Sequence, residues 1–150
     1  MLPFMFINPI AMRLHIASNR LISEIQTEFN RLFPFLKIEF FNNRSLQRTG
    51  FSAQQILPYS RKIGEGQPAI TEGDIEITED MKVNVLEKQF KDQFGLAVQV
   101  FRKSGNLWLE TTMTDNWTLQ QQNNHGREIS TGKAKEQSPD DYDLNRDAGH

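Results

Sequence analysis

Two stretches of the chain carry the same order of apolar and polar positions. Leu14, Ile16, Ile22, Ile25, Phe29 and Phe33 recur as Ile75, Ile77, Val83, Leu86, Phe90 and Phe94, a constant shift of 61 residues. In each copy the first two alternate as a half-buried strand does, and the last four fall on one stripe of an amphipathic helix. Pro34 ends the first helix because it has no N–H to donate, and Gly95 ends the second because it tolerates the left-handed conformation. Alternation resumes over Leu36, Ile38 and Phe40, and over Leu96, Val98 and Val100, now shifted by 60. Each copy reads strand, helix, strand.

The second copy runs on into Lys103, Ser104, Gly105 and Asn106, a turn between two alternating runs. Leu107, Leu109 and Thr111 take one face of the strand that follows, and Trp108, Glu110 and Thr112 the other. A short polar helix is expected over 116–124, opened by Thr114 or Asp115 and closed by Gly126. The pattern predicts an α+β fold in which duplicated βαβ units form a ferredoxin-like two-layer sandwich. Two helices would cover one face of a single sheet, with a C-terminal hairpin strand and short helix added.

Residues 1–11 read as an N-terminal extension, since Met12 directly precedes the first patterned positions and is an alternative start to Met1. Residues 12–130 read as one domain, with βαβ repeats at about 12–42 and 74–102 and the hairpin strand and helix at 106–126. The 42–74 connector is far longer than the few residues that usually join elements, and it holds a possible helical turn at 52–57. From Thr131 the chain is polar, acidic and without periodicity, so residues 131–150 read as a disordered tail.

Composition narrows the chemistry. With no cysteine there is no disulfide framework, thiolate metal site or thiol nucleophile, and a reducing cytoplasm is the natural compartment. No signal peptide or membrane span is read in the apolar first twelve residues, which lack a basic start and hold two prolines. Net charge is −2 but uneven: residues 1–66 carry 8 basic and 4 acidic groups, residues 67–130 carry 6 and 10. The basic excess includes Arg44, Arg48, Arg61 and Lys62 on the connector.

Catalytic and metal motifs are not found. His15 lies out of phase with Leu14 and Ile16 and reads as a surface histidine, and His125 adjoins the expected helix end at Gly126. The acidic run from Glu72 to Asp80 lacks calcium-loop spacing; Glu76 points to solvent, and Glu79 and Asp80 suit a helix N-terminus. Glycines 64 and 66 are followed by no Lys-Ser/Thr pair, so no phosphate loop is completed. Neither a metal nor a cofactor is implied.

One cluster stands out. If Leu36, Ile38 and Phe40 and Leu96, Val98 and Val100 face the helices, then Phe41, Phe101 and Trp108 share the opposite face of the sheet, with Arg102 at its rim. Solvated sheet faces favour polar residues, so three aromatics there suit a partner surface, unless another segment folds over and buries them. Nucleic acid is disfavoured, because the outward residues of the expected central strands are His15 and Glu76 and the pI is about 5.9.

The stretches FPFLKIEFF, FGLAVQVFRKSGNLWLETT and TDNWTLQQQN resemble those of a group of small uncharacterised bacterial proteins of the kind found in Bacteroidetes genomes, over roughly residues 12–130. The resemblance implies a bacterial, cytosolic protein and transfers no activity to any position. The sequence therefore reads as a non-enzymatic protein-interaction or accessory module that binds protein or itself through Phe41, Phe101, Trp108 and Arg102. The alternatives are nucleic-acid binding through the basic connector, and a small-molecule enzyme or binder with a pocket under residues 42–74.

Overall fold

The structure is a computed structural model that describes residues 11–42, 56–66 and 70–132. β1 (Ala11–Ile16), α1 (Ile22–Leu32) and β2 (Leu36–Phe41) are followed by β3 (Gly73–Thr78), α2 (Val83–Phe94) and β4 (Ala97–Ser104) in the same order. β5 (Leu107–Glu110), a 3-10 turn at Thr112–Thr114 and α3 (Leu119–Thr131) complete the described chain. The predicted stripes are the buried ones: Ile22, Ile25 and Phe29 on α1, and Val83, Leu86, Phe90 and Phe94 on α2. Gly95 caps α2 at φ 66°, and Phe33, just before Pro34, caps α1. The two stripes join the inward residues of all four long strands, with Ile63 and Leu119, in one core.

The strands form two antiparallel sheets, β1-β3 and β2-β4-β5. In the first, Leu14 faces Ile75, its counterpart under the shift of 61. In the second, Glu39 faces Gln99, its counterpart under the shift of 60. Each ladder is thus centred on a matched pair, which is what a two-fold relation between the halves produces.

A ferredoxin-like sheet would hold the β1-β3 pair at its centre, with β2 and β4 flanking it. Instead β2 and β4 pair with each other, so the single sheet expected from the sequence is two. The edges that would have joined them are occupied. On β2, Asn30 Nδ2 donates to the Leu36 carbonyl at 2.8 Å, Gln26 Nε2 to that of Ile38 at 2.8 Å and the Leu57 N–H to that of Phe40 at 2.7 Å. On β4 the outer edge is taken by β5, then by Glu87, which accepts from the Val100 N–H at 3.0 Å, and by Thr111, whose hydroxyl donates to the Val100 carbonyl at 2.8 Å. These backbone groups are already paired, so none needs a further strand to satisfy it.

The repeat extends beyond strand, helix, strand. Leu21 and Lys82, which precede α1 and α2, have no side chain that caps a helix, so the first N–H groups need other acceptors. A short strap supplies them in each half. Ile22 and Ser23 donate to the carbonyls of Arg61 and Tyr59 at 2.9 Å each; Val83 and Asn84 donate to those of Trp117 and Asp115 at 3.0 and 2.8 Å. The straps end on the buried side chains Ile63 and Leu119. This segment is part of the 42–74 connector in the first half and the entry to α3 in the second.

Two local expectations change. α3 is capped by Thr118 and runs through Gly126 to Gly132, so Gly126 is no helix stop. It lies where the helix meets β4, and a Cβ there would sit 3.0 Å from Arg102 Cγ and from Phe35 Cβ. Glu79 and Asp80 belong to the turn before α2, whose first turn holds no acidic residue. Arg44, Arg48, residues 52–55 of the possible turn at 52–57, residues 1–10 and the tail from residue 133 lie outside the described residues, and Ile56, at the end of that turn, is bridged to Phe41 and is not helical.

Candidate functional site

Cross-strand partners point to the same face of a sheet. On β2-β4-β5 the face away from the helices therefore carries Lys37, Glu39 and Phe41, then Ala97, Gln99, Phe101 and Lys103, then Trp108 and Glu110. One end of this face is closed. Phe41 and Ala97 are each 2% exposed and Gln99 is 5% exposed, with its Nε2 donating to the Thr112 hydroxyl at 2.6 Å. The other end is half open, and there Lys37 Nζ lies 5.8 Å from the centre of the Phe101 ring and 5.0 Å from that of Trp108. Glu39 Oε2, 2.9 Å from Lys37 Nζ, completes the group. An ammonium over two ring faces is held by their quadrupoles as well as by the carboxylate, which keeps both rings oriented.

Of the residues expected to form this surface, Phe101 and Trp108 meet at the open end. Phe41 shares their face but is buried at the closed end. Arg102 is not at the rim. It pairs in register with Leu36, so it points to the helix side, where Nη1 donates to the buried Gln122 Oε1 at 2.8 Å and burial pushes its pKa down. Of the connector cations, Lys62 is exposed and Arg61 spends its guanidinium on the Glu65 carbonyl at 2.8 Å. Comparisons with protein families, with curated proteins and with solved structures find no match to this chain. Its chemistry has to be read from its own side chains.

Lys37 is the residue that sequence reasoning missed at the site. Its signal was present: it alternates with Leu36 and Ile38, so it had to lie beside Phe101 once β2 and β4 were paired.

Two titratable groups lie elsewhere. His15 faces outward on β1, with Nδ1 2.7 Å from Asp74 Oδ1 and Nε2 2.7 Å from Glu72 Oε2. The two hydrogen bonds favour the imidazolium and raise its pKa, against a small loss of hydration. Asp74 thus also points outward from the acidic run, not Glu76 alone. Glu87, on α2, is pushed up to about 7 by burial, opposed by the bond from the Val100 N–H and reinforced by Asp115. His125 is lowered by burial and by Arg102, and stacks edge-on against Trp117 at 5.6 Å.

Among the described residues no group of three His, Asp or Glu side chains is placed to hold a metal ion, and no helix is long and apolar enough to cross a membrane. A cleft of about 590 Å³ lies where Gly64 approaches Ser18, lined by Ser18, Asn19, Lys62, Gly64 and Glu65. A second, of about 350 Å³, is lined by Met12, Glu28, Arg31 and Leu32. Neither is lined by Glu87, His15, His125, Arg20 or Arg102, whose proton affinity the fold shifts, so neither combines a cavity with a tuned acid or base.

Proposed function

We propose that this chain is a non-enzymatic protein-interaction module, built by duplication of a strand–helix–strand half and working in a reducing cytoplasm. The docking surface is the open end of the β2-β4-β5 sheet: Lys37, Phe101, Lys103 and Trp108. The observation that carries this reading is the partly exposed Phe101 and Trp108 pair, oriented by Lys37. Aromatic side chains are among the residue types that anchor protein interfaces, because they bury a large area while losing little side-chain freedom. A reducing cytoplasmic setting agrees with the cysteine-free composition.

A photo-crosslinking residue at Trp108, compared in cells with the same residue at Glu76 on the outer face of β1-β3, tests the surface. Discrete protein adducts formed from position 108 and absent from position 76 are expected. Equal labelling at both positions, or none at 108, overturns the reading.

A further inference from the structure

Among the described residues, the edge beside this surface is open. Antiparallel strands present successive residues alternately toward one neighbour and the other. Lys103 donates its N–H to the Phe35 carbonyl on the β2 side, and Val100 turns its backbone groups to the opposite side, toward Glu87 and Thr111. The even residues of β4 therefore face β5 and bond their partners Leu107 and Leu109. The backbone groups of Trp108 and Glu110 point outward from the sheet, with no partner among the described residues. Leu107 is 64% exposed and Leu109 is 40% exposed. An apolar strand that is open along its edge and partly bare on both faces is a template for another strand.

We propose that β5 pairs antiparallel with β5 of a second copy of this chain, centred on Leu109. The proposal rests on reading this end of the sheet as the docking surface and names its occupant. Charge selects the register. With Leu109 facing the second copy's Leu109, each Glu110 faces the other copy's Trp108, beside Lys103 in the same row and under Lys37. A register centred on Glu110 would bring two carboxylates together. One centred on Trp108 would set Glu110 against the turn residue Asn106, where no strand continues. The Leu109 register alone gives all the outward N–H and C=O groups of Trp108 and Glu110 a partner, and it brings each acidic residue to the basic side of the other copy. The product is one continuous six-stranded sheet, β2-β4-β5 followed by its two-fold mate.

Sedimentation velocity on the full chain, from low micromolar to near-millimolar concentration, reads this out. A reversible monomer–dimer equilibrium is expected. Glu110→Pro removes an outward N–H without touching the β4 ladder, and a proline is tolerated at such an edge position. It should leave the circular dichroism spectrum unchanged and weaken dimerisation by about a hundredfold or more. Glu110→Lys, which keeps the N–H, should weaken it by about tenfold or more, and Lys103→Glu in the same chain should restore part of the loss. If Glu110→Pro disturbs the fold, the charge reversal and its rescue decide. A chain that stays monomeric at every concentration, or a dimer indifferent to both substitutions at Glu110, overturns the proposal. A monomer that still gives discrete adducts with other proteins from position 108 would overturn self-pairing alone and leave the interaction reading standing.

Discussion

Gln26 and Glu87 occupy the same place in the two halves, yet they do opposite chemistry. Each projects from its helix to an edge of the β2-β4-β5 sheet, Gln26 to the free edge of β2 and Glu87 to β4 beyond the end of β5. Gln26 donates to the Ile38 carbonyl, whereas Glu87 accepts from the Val100 N–H. The first half closes its edge with amide side chains and the Leu57 N–H, and the strand ends there. The second half adds a strand instead, and its carboxylate caps only the remainder. What the halves share is buried pattern and helix entry. What separates them is at the sheet edge, and the proposed function lies on the half that was left open.

The strongest test of equivalence is in the core. Phe29 and Phe90 are matched, fully buried residues, and either one replaced by alanine should cost about 3–5 kcal/mol of unfolding free energy in urea titrations. Similar losses at both positions fit two equivalent halves in one cooperative core. A loss at one site only would split the molecule into unequal units.

Glu87 gives the next largest effect. Its folded pKa of about 7 lies above its ordinary value of 4.5, so the unfolded chain releases the proton first. The resulting stability is fully present below pH 4.5 and is lost as pH rises toward 7, by about 3 kcal/mol at most. Glu87→Gln installs the first half's own residue, keeps an acceptor for the Val100 N–H and removes the charge. It should flatten that pH dependence and stabilise the protein by about 1–3 kcal/mol above pH 7, as followed by thermal melts across pH. An unchanged profile would mean that the carboxylate is not desolvated in solution.

Gly126→Ala should cost about 1–3 kcal/mol in the same melts, because the new methyl meets Phe35 Cβ and Arg102 Cγ at 3.0 Å. No loss would mean that α3 stands further from β4 than the structure has it. His15 is the mildest case. Its NMR titration should show a pKa above 6.5, and Asp74→Asn or Glu72→Gln should bring it down. Its contribution to stability is present below pH 6.5 and is lost as pH rises through that higher folded value, a trend that fits a clamp between β1 and the residues entering β3.

Much of this architecture was legible because burial leaves a periodic trace. The stripes on α1 and α2 and the alternation on β1 to β4 could be read directly, as could the face shared by Phe101 and Trp108. Strand partnership could not, because the residues that saturate the edges are polar side chains such as Gln26 and Asn30, which look like any exposed helix position. The straps were invisible for a related reason: Tyr59, Arg61, Asp115 and Trp117 act through their carbonyls, which every residue has. Arg102 was misplaced by one step of alternation on β4, and Phe41 lies at an end of the face that is closed.

In the proposed dimer, the outer edge of β5 is where the molecule joins a second copy of itself. Amide hydrogen exchange measured at low and at high protein concentration tests it residue by residue. Leu107 and Leu109, bonded to β4, should be protected at both concentrations, whereas Trp108 and Glu110 should exchange freely when dilute and become protected when concentrated. Trp108 and Glu110 amides that exchange freely at every concentration would contradict it.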